Sequence, residues 1–227
     1  MYQTEFEGKH HELGTSGFLY RSNKLMYDHE TESYWSTLKG TPVVGPLVGK
    51  GIQLERRHVV TTTWGEWKKR HPNTTVLSTS TGHRRDYGEG VAYRDYFSTD
   101  KLMFIVPKTD QRLLNKDEVL ALRVQEEALA ISADFLRKNP VYKGAVGKQE
   151  FVVLTDATGA NRVYETDGVE FASWDQRQSV SDRDGVQWTL SEDSITNPDG
   201  KKLIRLPAHR AFWFGWQAQF PKTRLIK

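Results

Sequence analysis

The chain has 227 residues, of which 37% are hydrophobic, a formal net charge of +3 and no cysteine. This length fits one large domain or two small ones that bury a core without covalent staples, and the missing cysteine excludes disulfides, thiol catalysis and thiolate metal sites. No apolar run approaches the roughly 20 residues of a membrane span, and acids and bases are interspersed, so we expect neither a membrane span nor a nucleic-acid partner.

The first predicted element is a strand at residues 2–6, and an apolar–polar alternation follows at residues 22–28. The second stretch embeds the amide of Asn23 and the carboxylate of Asp28. Asp28 has two interpretations: it accepts hydrogen bonds from the turn at residues 29–33, or it orients a ligand. Residues 45–51 are interpreted as a glycine-rich turn, because Gly51 stands where a phosphate loop needs Ser or Thr to bind magnesium.

A short helix is predicted at residues 64–70, followed by an extended segment at residues 74–77. Thr63 and Glu66 have the spacing of a capping box, and the residue before Pro72 is pushed out of the helical region, which ends the helix. Trp64 and Trp67 lie on one helical face. This spacing favours packing onto a sheet over an exposed aromatic platform for a ligand.

The next segment is a polar loop that contains His83, Arg85, Asp86 and Tyr87. Its structural interpretation is a solvated loop with an internal Arg–Asp ion pair. Its functional interpretation is a site that binds anions or moves protons, since the unperturbed pKa of histidine lies near neutrality and arginine clamps carboxylates or phosphates through a planar fork. We expect this loop to meet the stretch of Asn23 and Asp28 and to line one pocket with it.

Several strands are predicted in the middle of the chain. A compact apolar run at residues 102–106 is one. Residues 119–124 and 128–131 form either a hairpin or part of one long helix, since Asn115 and Glu118 also have capping-box spacing. A short helix is predicted from Ser132 to Lys138, and strands are predicted at residues 151–154, 162–164 and 169–172.

An internal repeat organises the chain. Residues 51–77 align without a gap with residues 200–226, and upstream, across a one-residue gap, Asp28 and Trp35 fall opposite Asp182 and Trp188. This predicts a single β-rich α+β domain over residues 1–227, with a duplicated strand–helix–strand unit and a Trp-x-x-Trp helix in each copy. Copy one is placed at about 1–78, a connecting β-rich region at about 79–150 and copy two at about 151–227. The paired tryptophans, which we expect to be mostly buried, are Trp35, Trp64, Trp67, Trp188, Trp213 and Trp216.

Long motifs carry a family resemblance. They are LGTSGFLYRSNKLMYDHETESYW from residue 13, GPLVG from 45, TTTWGEWKKRHPNTTVLS from 61, TGHRRDY from 81 and AFWFGW from 211. Together they resemble domain of unknown function 3179, a family found mainly in bacteria and archaea, which implies a family and no activity. Many relatives carry a cysteine-containing segment upstream of the part that matches Leu13. We therefore expect either a branch that lost this segment or an N-terminal truncation; the chain as given would be cytoplasmic, and exported if a segment is missing.

Three functions are compatible with these motifs. The first is a binding domain for a small molecule or a protein, with Asn23, Asp28, His83, Arg85 and Tyr87 as ligand-binding residues. The second is an enzyme in which His83 acts as general base or metal ligand, assisted by Asp86, Asp28 or Arg85. The third is an interaction partner without a pocket. The sequence specifies no cofactor, and no metal site is predicted from its spacings.

Overall fold

The chain folds into a β-rich α+β architecture, which a computed structural model describes over residues 1–227. None of its helices has the length and apolar character that crossing a membrane requires. Its first half contains β1 (Glu5–Phe6), β2 (Lys9–His10), β3 (Leu13–Tyr20), β4 (Asn23–Asp28), β5 (Tyr34–Ser36), β6 (Thr41–Val44), α1 (Trp64–Arg70) and α2 (Arg94–Phe97). Its second half contains β7 (Glu118–Val124), β8 (Glu127–Ser132), α3 (Ala133–Lys138), β9 (Val141–Val146), β10 (Gln149–Thr155), β11 (Asn161–Glu165), β12 (Phe171–Trp174), β13 (Ser179–Asp182), β14 (Gln187–Leu190), β15 (Ser194–Thr196), β16 (Lys202–Ile204), β17 (Ala208–Phe212), α4 (Trp213–Gln219) and β18 (Arg224–Ile226).

The β7–β8 hairpin is the centre of a four-stranded sheet in the second half. Strand β17 pairs antiparallel with β7, and β18 pairs parallel with β8. Because side chains alternate between the faces of a strand, Val119, Ala121 and Ala130 point to one side of this sheet. There they pack against Trp213 and Trp216 of α4. The helix therefore lies on the face of the sheet whose outer strands precede and follow it in the sequence.

The three-stranded sheet β11-β10-β9 is the next layer. Phe151 and Val153 of β10 and Val163 of β11 face the hairpin, and Val152 and Leu154 face the other way. That second face packs against the antiparallel meander β12-β13-β14-β15-β16, which is the outermost layer. Apolar residues on both faces of β10 thus join two cores, which is why residues 151–154 of this strand form a continuous apolar run.

The first half contains a second antiparallel meander, β3-β4-β5-β6. Its core is smaller and is formed by Phe6, Trp35, Leu47 and Leu54. Tyr2 forms an isolated antiparallel bridge with Arg56. Helix α1 follows this meander and buries none of its residues.

Hydrogen bonds join the two halves. The Gln219 side chain donates to the Tyr20 carbonyl at 2.8 Å, and the Arg123 guanidinium donates to the Lys39 carbonyl at 2.8 Å. Gln219 is 2% exposed, so this contact belongs to the interior of the molecule.

Several predictions made from the sequence can be compared with these elements. Residues 119–131 form the hairpin and not a long helix, and the helix after Ser132 is confirmed as α3. The predicted strand at residues 102–106 is wrong: that run forms no strand, and Met103, Phe104 and Ile105 are exposed. The predicted connecting region accordingly contains no strand before β7. An apolar run forms a strand only where a neighbouring strand pairs with it.

The prediction of buried tryptophans holds for four of the six. Trp35, Trp188, Trp213 and Trp216 are at most 3% exposed, whereas Trp64 is 45% exposed and Trp67 is half-buried. The prediction for Trp64 is wrong because no sheet covers α1.

Candidate functional site

Asp28 ends β4 and is fully buried. Its carboxylate accepts hydrogen bonds from the Thr31 backbone N–H at 2.6 Å, from the Thr31 hydroxyl at 2.7 Å and from Trp35 Nε1 at 3.1 Å. Burial alone would raise the pKa of Asp28, but the hydrogen bonds from Thr31, Trp35 and Glu30 outweigh it and lower that pKa. The carboxylate therefore holds the turn and the indole ring, which is the structural role weighed for it above.

Asp182 occupies a matching place in the second half. It accepts a hydrogen bond from Trp188 Nε1 at 2.8 Å and from the backbone N–H groups of Val186 and Asp184 at 2.9 and 3.1 Å. The hydrogen bond from Trp188 is the main reason that the pKa of Asp182 is lowered. Each half thus contains one buried Asp that caps its own turn and orders one Trp.

Asn23 begins β4 and is half-buried. Its side-chain oxygen accepts a hydrogen bond from the Thr37 hydroxyl. The Lys24 carbonyl, 2.8 Å from the same hydroxyl, is an alternative acceptor for its single proton. The Asn23 amide is thereby oriented by the neighbouring turn.

The predicted site loop with His83, Arg85, Asp86 and Tyr87 lies outside the strands and is exposed along its whole length. It is organised by its own contacts: the hydroxyls of Thr81 and Tyr87 lie 2.8 Å apart, and Asp86 accepts from the Gly88 N–H at 2.8 Å. No ion pair links Arg85 to Asp86.

No hydrogen bond, ion pair or aromatic contact joins this loop to Asn23 or Asp28. The Ser22 hydroxyl, beside Asn23, instead donates to the carbonyl of Ile105, which lies well beyond this loop in the sequence, at 3.3 Å. None of the five main cavities is lined by Asn23, Asp28 or the loop residues. A shared pocket of these two stretches stays a prediction.

A different group of side chains lies where the two halves meet. We call Tyr2, Arg56, Arg123 and His209 the junction cluster. Arg123 is 9% exposed and makes one hydrogen bond, to the Lys39 carbonyl, with its guanidinium over the Phe220 ring at 5.3 Å. The half-buried Arg56 guanidinium makes no hydrogen bond or ion pair with the chain. The Nε2 atom of His209 is buried and has no hydrogen-bond partner.

Buried arginines elsewhere in this chain are neutralised. Arg162 and Arg205 are 2% and 5% exposed, and both form ion pairs with Glu192, at 3.0 and 2.5 Å. A buried charge without a counter-ion is costly. Arg123 therefore differs from the two other buried arginines in lacking a paired carboxylate, and the half-buried Arg56 beside it lacks one as well.

The pKa shifts show that the junction cluster shares one positive environment. Burial lowers the pKa of Arg56, and the charge of Arg123 lowers it further. Burial also lowers the pKa of His209 to about 4, with added contributions from the Met1 amino group, Arg56 and Arg123. Glu126 is the one carboxylate that acts on the cluster, through Arg123. At neutral pH His209 is uncharged, and the two guanidinium groups carry the charge.

Two cavities open beside this cluster. One, of about 80 Å³, is lined by Tyr2, Arg56 and His209 together with Met1, Thr37, Leu38, Arg57, Pro207 and Ala208. The other, of about 590 Å³, is a polar cleft whose lining includes the cations Arg123, Lys39 and Lys222 and the carboxylates Glu126 and Glu127. The cluster therefore presents cationic groups to space that a small anion or the charged end of a larger molecule can enter.

The sequence contained part of the signal for this cluster. Arg56 stands in the basic run of residues 56–58, and a short charged run is typical of solvated surface. Arg123 is the one charged residue inside the apolar stretch of residues 119–124, and a charge there needs a partner or a function. His209 lies in β17 with no sequence feature that marks it.

Comparison with known proteins places the chain in a family. Residues 1–223 match the family described as protein of unknown function (DUF3179). The chain belongs to this family. No curated protein and no solved structure matches it.

Proposed function

We propose that this chain is a binding domain built from two copies of one unit, and that it holds an anionic group, a carboxylate or a phosphate, at the junction cluster between them. The observation that carries the proposal is the pair of partly or fully buried guanidinium groups, Arg56 and Arg123, without a paired carboxylate. Arginine presents a planar fork of donors that matches both anions.

Matched contacts in the two halves support the two-copy organisation. The Tyr2–Arg56 bridge has a counterpart in the Tyr164–Arg205 bridge. Beside it, the Arg57 N–H donates to the Met1 carbonyl at 3.0 Å, as the Leu206 N–H donates to the Val163 carbonyl at 2.8 Å. The buried pairs of Asp28 with Trp35 and Asp182 with Trp188 make the same carboxylate–indole hydrogen bond.

Matched hydrogen bonds of the second tryptophan in α1 and in α4 support the same two-copy organisation. Trp67 Nε1 donates to the Thr74 hydroxyl at 3.0 Å, and Trp216 Nε1 donates to the Thr223 hydroxyl at 2.9 Å. In an internally duplicated chain, the surface where the copies meet is the place that neither copy forms alone. The junction cluster lies there, with Arg56 from copy one, His209 from copy two and Arg123 from the connecting region, whose β7 pairs with the β17 strand of copy two.

Binding is better supported than catalysis. The enzyme hypothesis needs His83 or Asp86 beside Asp28, and no contact joins them. Asp28 is occupied by the turn and by Trp35. In the junction cluster, His209 has a pKa of about 4, which suits a neutral hydrogen-bonding group at neutral pH better than an acid or base that exchanges protons there.

The test uses His209 as a reporter. An anion that binds beside His209 stabilises its protonated form, so the pKa of His209 rises. We expect inorganic phosphate or acetate at concentrations of about 1 mM to raise that pKa, measured by NMR of isotope-labelled histidine. A rise in the pKa of His209 with phosphate only, with acetate only or with both identifies the class of anion that binds.

The variants are Arg56→Gln and Arg94→Gln, which remove the same charge. Arg94 is exposed in α2, away from the junction. The Arg56 variant should weaken the response at least tenfold, and the Arg94 variant should respond as the native chain does. A His209 pKa that neither anion moves, or an equal response in both variants, would overturn the proposal.

A further inference from the structure

Helix α4 has a complete set of neighbours. Its Trp213 and Trp216 are at most 1% exposed and rest on Val119, Ala121 and Ala130 of the β7–β8 hairpin. Strand β17, which leads into the helix, pairs along one edge of that hairpin, and β18, which leaves it, pairs along the other. Helix, hairpin and flanking strands form one closed arrangement.

The region around α1 has counterparts of α4 and of its two flanking strands, but it has no hairpin against which they could pack. In the alignment of residues 51–77 with residues 200–226, residues 59–63 correspond to β17 and residues 75–77 correspond to β18. Neither segment forms a strand, and no hydrogen bond engages a backbone N–H of residues 59–62 or 75–77. Trp64 is 45% exposed, Val76 69% and Leu77 95%.

The exposed residues around α1 correspond to packed residues around α4. Val76 and Leu77 stand where Leu225 and Ile226 pack against the apolar cores of the second half. An apolar patch next to unpaired backbone donors is a template for adding strands. Within residues 1–227, the hairpin against which a helix with two tryptophans packs is β7–β8, and α4 already occupies it.

We infer that the exposed face of α1, with residues 59–63 and 75–77 on either side, is a docking surface for a β-hairpin of a partner polypeptide. The inference rests on the two-copy organisation proposed above and does not depend on the anion site. One hairpin strand pairs antiparallel with residues 59–63, the other pairs parallel with residues 75–77, and the face between them covers Trp64 and Trp67.

The occupant's chemistry follows from the hairpin that α4 already has. Its helix-facing positions carry small apolar side chains, as Val119, Ala121 and Ala130 do, because two indole rings fill the remaining space. The positions that meet Trp64 are uncharged, since a buried charge there would have no partner; the one charge on the corresponding face of β7, Arg123, lies over Phe220 after the end of α4. A polar or strongly charged peptide does not fit.

The experiment supplies such a hairpin at high effective concentration. A second copy of residues 117–133 is joined through a flexible Gly/Ser linker after Lys227, away from the junction cluster, with Leu120→Thr, Leu122→Thr, Leu129→Thr and Ile131→Thr in the added copy to keep its outer face polar. Amide hydrogen exchange is then measured residue by residue. We expect exchange at residues 59–62 and 75–77 to slow at least tenfold, because these N–H groups gain partners.

Two matched proteins carry the controls. One fusion has Ala121→Asp and Ala130→Asp in its added hairpin, and the other has Trp64→Ser in the receiving helix; both should exchange as the chain without the added hairpin does. Trp64 is exposed, so its replacement leaves the fold intact. Two results would overturn the inference. One is unchanged exchange in the fusion that carries neither the Asp substitutions nor Trp64→Ser, and the other is equal slowing in the Asp-bearing fusion. The His209 response to phosphate and acetate in the same samples reports the anion site separately.

Discussion

Helices α1 and α4 each contain seven residues with two tryptophans three positions apart, yet Trp213 is fully buried and Trp64 is 45% exposed. Their local structure is the same: the second Trp of each donates to a threonine seven residues later. Their surroundings differ, because α4 lies on the β7–β8 hairpin and α1 has no sheet beneath it. The comparison shows that the helix signal is local, whereas burial depends on which other elements the chain supplies.

The largest expected difference between the two helices is the cost of removing the first tryptophan. Trp213→Ala should lower the free energy of unfolding by about 3–5 kcal/mol, because it opens a large cavity between helix and hairpin. Trp64→Ala should cost no more than about 0.5 kcal/mol, as for an ordinary surface substitution. Urea denaturation of both variants measures the two values. Equal losses would show that α1 is as well packed as α4, and would break the comparison.

The second expected difference lies in the segments that lead into the two helices. Only the segment before α4 should make the free energy of unfolding depend on pH, by slightly less than the loss expected for Trp213→Ala. The pKa of His209 in β17 is lowered from 6.5 to about 4, and the aligned residue before α1 is Val60. The unfolded chain binds a proton that the folded chain excludes, so stability is complete above pH 6.5 and is lost as the pH falls through about 4. The total loss corresponds to about 3 kcal/mol.

Urea denaturation between pH 7 and pH 4.5 measures this slope, since carboxylates titrate mainly below that window. His209→Gln should flatten the slope. His83→Gln, on the exposed loop, should leave it as it is in the native chain. A slope that His209→Gln retains would assign the pH sensitivity to another group.

The smallest difference should come from the shared Trp–Thr hydrogen bond. Thr223 is 3% exposed, so Thr223→Val leaves the Trp216 N–H buried without an acceptor, at a cost of about 1–3 kcal/mol. Thr74 is half-buried, so in Thr74→Val water can replace the hydroxyl, and the cost should be below about 1 kcal/mol. Thermal unfolding of the two variants, each against the native chain, ranks them. A larger loss for Thr74→Val would indicate that the indole of Trp67 is shielded from water.

Much of the local structure followed from the sequence. Thr63 caps α1 through the Glu66 N–H, Pro72 and Pro221 follow the two helix ends, and the turn between residues 124 and 127 separates β7 from β8. Each of these is set by groups within a few residues of one another. The run at residues 102–106 was not predictable in this way, because a strand needs a partner strand and none is next to it.

The candidate site was predictable only in part. The sequence marked Asp28 as a hydrogen-bonded turn residue or a ligand group, and its contacts agree with the first interpretation. It marked the loop around His83 by its density of polar groups, and that loop has its own internal contacts. The junction cluster combines residues 2, 56, 123 and 209, whose separations along the chain exceed any local spacing rule.

The sequence by itself determined helices α1, α3 and α4, the cap of α1 and the recurrence of paired tryptophans, because these depend on backbone preferences and on the period of apolar residues. It left residues 119–131 open between a hairpin and a helix, and it did not predict α2. Only the tertiary structure decided which tryptophans are buried and which arginines lack a partner. Burial and charge pairing depend on surfaces brought together from distant parts of the chain, and α1 and α4 show that the same local sequence can end in either state.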